Sequence, residues 1–350
     1  MSFYIDSHNL AGLKDFAVSI GLEKFRGEQI YKWIHHSGCE NVADMTNLSN
    51  AVRQKLSDSV KFTVLDVVKA QKSAQDGSVK VLFRLEDGEH IESVILSDGR
   101  RLTACISSQV GCRMGCAFCS TAIMGLKRNL TVGEILKQVK RLNDILAETD
   151  EKLNNIVFMG MGEPLDNIDN VLEAIEVLLD DNGYGFSHKK ITLSTCGVAE
   201  NIERIFSLST PVNLAVSINS PTQEKRKELM PVSNKYPLSS LMAVLKKLPL
   251  QKRKSITIEY VLLKGINDSI KDAEELAKLL KGLDKVKVNL ILYNSGADEK
   301  YQAPAENDAL KFQQYLINKK IGVFIRKSLG SDIDGACGQL RAKYEKNTQR

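Results

Sequence analysis

Three cysteines stand within eight residues, at Cys112, Cys116 and Cys119, separated by three and then two other residues. Thiolates are soft ligands suited to zinc or iron–sulfur clusters, and this spacing lets one loop present several to the same centre. A cubane 4Fe-4S cluster takes four ligands, so three cysteines leave one iron open. An open iron can bind a small molecule and pass it an electron, which a closed site cannot do. The competing reading is a structural zinc with Cys105 as fourth ligand. Zinc sites usually show two separated Cys/His pairs, and the chain has none. Further along, Cys337 lies between Ala336 and Gly338-Gln339, a turn-prone setting that suits access better than packing.

The elements that must position these residues follow from periodicity. The 350 residues suit one large domain with a smaller appendage, and 43% hydrophobic with 26% charged residues is ordinary for a globular chain. The N-terminus carries no apolar leader and no later run is long enough to span a bilayer, so the expected location is the cytoplasm, with no membrane partner. Seven cysteines, an odd number with three clustered in one loop, argue for metal or redox chemistry over a secreted disulfide framework. The net charge of +5 permits an RNA partner without requiring one.

Residues 1–60 read as a small helical accessory domain. Phe25, Ile30, Trp33 and Ile34 share one helical face, with Arg26, Lys32, His35 and His36 expected in solvent, and Trp33 as a core anchor. Leu48, Val52 and Leu56 mark a second amphipathic helix. Residues 61–97 form a β-rich connector of three runs, Phe62–Val68, Val79–Leu85 and His90–Leu96, divided by the turns Gln75–Ser78 and Glu86–Gly88. From 98 to 350 strands and helices alternate, with strands at Leu102–Ser107, Asn155–Gly160, Lys190–Thr195, Val212–Asn219, Ser255–Leu263, Lys287–Tyr293 and Val323–Lys327. This implies an α/β fold with a parallel sheet and right-handed crossovers, a closed or partly open (β/α)6 barrel. Chemistry in such barrels sits at the C-terminal strand ends. The cysteine loop, Gly160-Met161-Gly162-Glu163, Ser194, Ser217 with Asn219, and Asn294 all fall there. The tail Arg341–Arg350 is polar and basic and is expected to be disordered.

Three longer motifs are specific enough to mark a family: Cys105–Cys112, Phe158-Met159-Gly160-Met161-Gly162-Glu163-Pro164-Leu165, and Asp332–Leu340 around Cys337. With the C-x3-C-x2-C spacing, the chain closely resembles the RlmN/Cfr group of radical S-adenosylmethionine (SAM) RNA methyltransferases. It is closer to the RlmN branch because of Pro164-Leu165 and the Phe25-Arg26-x-Glu28-Gln29 run. The resemblance covers nearly the whole length.

That resemblance implies a radical SAM barrel whose Cys112, Cys116 and Cys119 hold a 4Fe-4S cluster, with two SAM consumed per turnover. It implies cofactor contacts at Gly162, Glu163, Ser194, Ser217, Ile218, Asn219 and Asn294. The family usually reads Ser-Leu-His where this chain has Ser217-Ile218-Asn219, and Asn cannot carry a proton as His can. The implied reaction methylates C2 of an adenosine in 23S rRNA, and of the adenosine 3′ of the anticodon in tRNA. C2 lies between two ring nitrogens, too electron-poor to attack a methylsulfonium, so a radical must add to it. One SAM methylates Cys337; a 5′-deoxyadenosyl radical from a second takes a hydrogen from that methyl group, and the methylene radical adds to the base. Glu92 matches the proton acceptor and Cys105 the resolving thiol that forms a disulfide with Cys337. A flavodoxin or ferredoxin system would supply electrons to the monomer. Phosphate contacts are expected from Lys127-Arg128, Lys189-Lys190, Lys252-Arg253-Lys254 and Arg326-Lys327, although each run taken alone reads as a solvated face. The alternatives are Cfr-like methylation at C8 of the same rRNA adenosine, or a zinc-stabilised RNA-binding module.

Overall fold

The computed structural model describes residues 3–208, 210–250, 254–283, 285–295 and 300–342; Lys252, Arg253 and the tail from 343 to 350 lie outside the described residues. The N-terminal segment forms helices α1 (Leu10–Ser19), α2 (Lys24–Tyr31) and α3 (Asn50–Ser57). Asn9 and Ser49 cap the first and third by accepting from the Gly12 and Val52 amides. Helices α1 and α2 cross at Gly27, where a Cβ would come within 2.5 Å of the Lys14 Cα. Short strands β1 (Phe3–Tyr4) and β2 (Val60–Lys61) pair in parallel and close the segment.

Two expectations about this segment are corrected. Helix α2 ends at Tyr31 and the chain widens into a π turn, Lys32–His36. Phe25 is 53% exposed, because five residues at 100° each place it about 140° from Ile30. His35 is buried, carried inward by the extra residue of the wide turn, and its Nε2 lies 3.1 Å from the His8 carbonyl. Trp33 packs partly against the core, as expected, and donates its indole N–H to Asn47.

The next three strands, β3 (Leu65–Lys72), β4 (Val79–Leu85) and β5 (His90–Ser97), pair antiparallel. The first begins three residues later than Phe62, since Asp6 holds both the amide and hydroxyl of Thr63. Strand β6 (Leu102–Cys105) follows, then a hairpin of β7 (Gln109–Gly111) and β8 (Leu126–Asn129) that brackets the cysteine loop. Helix and strand then alternate: α4 (Val132–Ala147), β9 (Asn155–Phe158), α5 (Ile168–Leu179), β10 (Ile191–Thr195), α6 (Ala199–Ile202), β11 (Asn213–Ser217), α7 (Gln223–Leu229), α8 (Leu238–Lys247), β12 (Ile256–Leu262), α9 (Ile270–Leu280), β13 (Val286–Leu292), α10 (Glu306–Asn318) and β14 (Gly322–Arg326).

One ten-stranded sheet runs in the order β14-β13-β12-β11-β10-β9-β6-β5-β4-β3. The seven strands from β6 through β14 in this sheet are parallel, and β5 joins β6 antiparallel. The barrel is therefore open: β14 and β3 are sheet ends, and the β-rich strands continue the main sheet. Each parallel strand turns one face to the helices and one to the interior. On β12, Ile258, Tyr260 and Leu262 are buried in the core, while Thr257, Glu259 and Val261 line interior cavities. Among the described residues no helix is long and apolar enough to cross a membrane.

The N-terminal helices are held to the barrel by charge. Lys137 on α4 is buried between Asp6 (3.0 Å) and Glu40 (2.7 Å), and Arg141 reaches Glu40 at 2.8 Å. Burial pushes the Glu40 pKa up, but hydrogen bonds from Arg141 and Lys137 outweigh it and hold the carboxyl at about 2.

Candidate active site

The cysteine loop is fixed at its neck. Gly111 sits at φ +74°, where a Cβ would overlap the Gly125 carbonyl oxygen at 1.8 Å, and the Cys112 amide donates to that same oxygen. Within the loop, Cys112, Cys116 and Cys119 line one cavity, of about 140 Å³, over the C-terminal strand ends. Burial pushes the Cys112 thiol up to about 12 and Cys116 well above its ordinary value. Such thiols ionise only beside strong positive charge, which an iron centre provides. Among the described residues no three Cys, His, Asp or Glu side chains converge tightly enough to grip one ion. The donor set fits a cluster: three soft ligands on one wall, beside a carboxylate already committed elsewhere.

That carboxylate is Glu163. Its Oε1 accepts from the Leu165 amide at 3.0 Å and its Oε2 from the Cys196 amide at 2.7 Å, and burial raises its pKa. The chain reaches it through Gly160 and Gly162, whose Cβ atoms would lie 2.7 Å from Ile106 and 2.6 Å from Gln109. Glycine is required at both, because the two strand-end loops touch there. Ser194 and Ser217 line the same cavity. Ile218 does not; its side chain is buried in the core and only its backbone serves, accepting from Arg226.

Asn219 adopts φ +55°, a left-handed conformation that Asn tolerates better than most residues. Its Oδ1 accepts from the Val261 amide at 2.7 Å and its Nδ2 donates to the Met230 sulfur. The side chain lines the cavity while bracing the end of β12. Sequence reasoning passed over Arg226, which is fully buried and donates to the carbonyls of Cys196, Ser217 and Ile218. Its only sequence signal is a basic residue at a helical position that the amphipathic pattern turns inward.

Adjoining the cavity of the cysteine triad, a second one of about 290 Å³ runs into the barrel. Cys105 at the end of β6 and Cys337 both line it, and both are free thiols. Cys337 is exposed to the cavity and is shared by both spaces. The enclosing walls, then Cys105, Cys119 and Glu259, push its pKa up to about 12. Burial does the same for Cys105.

The Cys337 loop is tied from three sides. The β3–β4 turn holds it through Ser73 to Asp332 (2.7 Å) and the Gly330 amide to Asp76 (2.8 Å). The cysteine loop holds it through the Ser120 amide to the Gly338 carbonyl and Thr121 to the Leu340 carbonyl. From the end of β13, Gln339 donates to the Ser295 carbonyl at 2.8 Å, while Asn294 reaches the Cys337 carbonyl at 3.5 Å and lines the inner cavity.

Glu92 is buried on β5, not solvent-facing. Its Oε2 accepts from the Arg341 amide at 2.8 Å, its Oε1 stands 3.4 Å from Lys80, and it lines neither cavity. Of the basic runs, Arg326 and Lys327 are exposed at the mouth of the inner cavity. Lys127 pairs with Glu89, and Arg128 is taken by Asp87 and Glu134. Lys189 and Lys190 are exposed and line neither cavity.

Residues 6–61 match the family described as ribosomal RNA large subunit methyltransferase N-terminal domain, and residues 106–280 match the radical SAM superfamily. The chain is 44% identical to a dual-specificity RNA methyltransferase RlmN from Geotalea uraniireducens, covering 98% of this chain and 97% of the relative. It is 45% identical to the protein of the same name from Syntrophus aciditrophicus, covering 96% and 95%. Among solved structures, a radical SAM methyltransferase from Sphaerobacter thermophilus superposes with a TM-score of 0.91 at 37% identity, covering 97% of this chain and all of that one.

Proposed function

This chain belongs to the RlmN family of radical SAM RNA methyltransferases, and from that premise we propose that it methylates C2 of adenosine in 23S rRNA and in tRNA through a methylated Cys337. The observation that carries this reading is that Cys337 stands at the junction of two cavities, one walled by the cysteine triad and the other by Cys105. Cys112, Cys116 and Cys119 would hold the 4Fe-4S cluster, with the Gly162-Glu163 turn, Ser194 and Ser217 receiving SAM. When bound, the cluster and SAM supply the methyl group, a hydrogen-abstracting carbon radical and the acceptor for the last electron.

The remaining steps belong to the chain's own residues. Cys337 sulfur takes the methyl group, loses one hydrogen from it, and the methylene carbon bonds to C2 of the base. The adduct gives up one electron, and its C2 proton passes to Glu92, which lines neither cavity and must exchange its Arg341 hydrogen bond to receive it. Cys105 thiolate then attacks Cys337 sulfur, the sulfur–carbon bond breaks, and the freed carbon takes a proton to become methyl. A Cys105–Cys337 disulfide is left, to be reduced by two electrons from a thiol or flavodoxin-type donor before the next cycle. Arg326 and Lys327 at the cavity mouth would meet RNA phosphate.

Anaerobically reconstituted protein given unmodified rRNA and tRNA fragments is expected to yield 2-methyladenosine, read by mass spectrometry. Recovery of 8-methyladenosine would move the chain to the C8 branch, and unmodified RNA after many turnovers' worth of SAM would end the reading. Cys105→Ala is expected to trap protein covalently on RNA; free methylated RNA at wild-type yield would remove the resolving role.

A further inference from the structure

One buried carboxyl in the barrel has no part in that scheme. Glu259 lies at the middle of β12, where its strand neighbours are Ser217 on β11 and Asn289 on β13. It lines both cavities, as do Met159, Ile291, Cys337 and Leu340. Asn289 donates to Oε1 at 2.9 Å, and among the described residues Oε2 makes no hydrogen bond and is left to the cavity. Burial raises the Glu259 pKa, while the Asn289 hydrogen bond and the charge of Arg326 pull it down. A carboxyl enclosed this far with one oxygen unspent is a poor way to fill a barrel. An apolar side chain of that size would pack there at lower cost. Such groups mark ligand sites more often than structural ones.

The ligand follows from what must enter this cavity. A base whose C2 faces Cys337 brings its N1 and exocyclic N6 edge alongside the same wall. In adenine N6 is a donor, which a carboxyl oxygen accepts; guanine and hypoxanthine place an acceptor oxygen at that position and would repel it. We propose that Glu259, oriented by Asn289, accepts a hydrogen bond from the exocyclic amine of the target adenine and so selects adenine inside the barrel. The proposal rests on the preceding reading that the Cys337 methylene carbon bonds to C2 of the target base.

The test pairs a side chain with a substrate atom. Wild type, Glu259→Gln and Glu259→Ala are each assayed on an RNA hairpin with adenosine at the target and on one with purine riboside there, which lacks only the amine. Rates are taken on protein whose Cys337 methyl group is verified by mass. Wild type is expected to favour adenosine by roughly tenfold to a hundredfold, the loss expected for one charged hydrogen bond. In Glu259→Ala that preference should collapse towards one, and Glu259→Gln, which keeps an acceptor oxygen, should retain part of it. Full preference in Glu259→Ala would overturn the proposal. So would failure of both variants to acquire the Cys337 methyl group, which would place Glu259 on the cofactor. Wild type that methylates neither RNA would overturn the preceding reading, and this one with it.

Discussion

Two regions of this protein bury charge, and they treat it differently. At the joint between the N-terminal helices and α4, Lys137 is enclosed by Asp6 and Glu40, and Asp6 spends both oxygens on Thr63 as well. Every strong donor and acceptor there has its partner inside the chain. In the barrel interior, Glu259 has one hydrogen-bond partner among the described residues and an oxygen left to the cavity, and the Cys337 thiol faces open space. Burying charge costs several kcal/mol per ion unless it is paired. The joint recovers that cost within the fold; the barrel recovers it when a ligand arrives. Saturated pairing marks a structural contact, and unsatisfied capacity in a cavity marks a binding one.

The contrast can be broken at its most exposed point first. Cys337→Ala removes a side chain that faces the cavity, so RNA methylation should vanish while the urea unfolding free energy changes by less than about 1 kcal/mol. A large stability loss would mean that the loop packs rather than reacts. Lys137→Met should do the reverse, costing roughly 3–5 kcal/mol by stranding Asp6 in a buried setting. The double variant with Asp6→Asn should recover much of that loss, and a purely additive result would deny the pairing.

A third effect concerns His35, whose burial holds its pKa at about 4, below the ordinary 6.5. The neutral form is favoured in the fold, so its contribution is full above pH 6.5 and is lost as pH falls from there to 4. Over that window wild type should lose about 3 kcal/mol more than His35→Gln, read from paired unfolding curves; parallel curves would show that the site is hydrated. The smallest effect separates the basic residues. Arg326→Gln and Lys327→Gln should each lower the slope of log affinity against log salt for RNA by roughly 0.7–0.9. Arg128→Gln should leave that slope unchanged, because its guanidinium already serves Asp87 and Glu134.

Much of this was legible from residue order. The strand boundaries of the barrel fell within a few residues of their observed positions, since short apolar runs are local patterns. Local signals also start two barrel helices: Thr131 and Ser269 form capping boxes with Glu134 and Asp272 at the head of α4 and α9. The faces of the accessory helix were misjudged at His35 because a π turn shifts register without any sequence mark that periodicity can detect. Glu259 was overlooked for another reason: a single acidic residue inside an apolar strand reads as a surface position until the strand's neighbours are known.

The sequence by itself determined the spacing of the cysteine triad and the order of strand and helix, because spacing within one loop and periodicity within one element are local properties. Only the tertiary structure decided what meets what. It set Cys105 and Cys337 on one cavity though 232 residues separate them by number, and it held Glu92 against the Arg341 amide, off both cavities. It also left Glu259, on the cavities that Cys337 lines, with an oxygen that makes no hydrogen bond among the described residues. Those facts depend on strand register and on how far the barrel closes, which are fixed by contacts between distant segments and by the packing of their side chains.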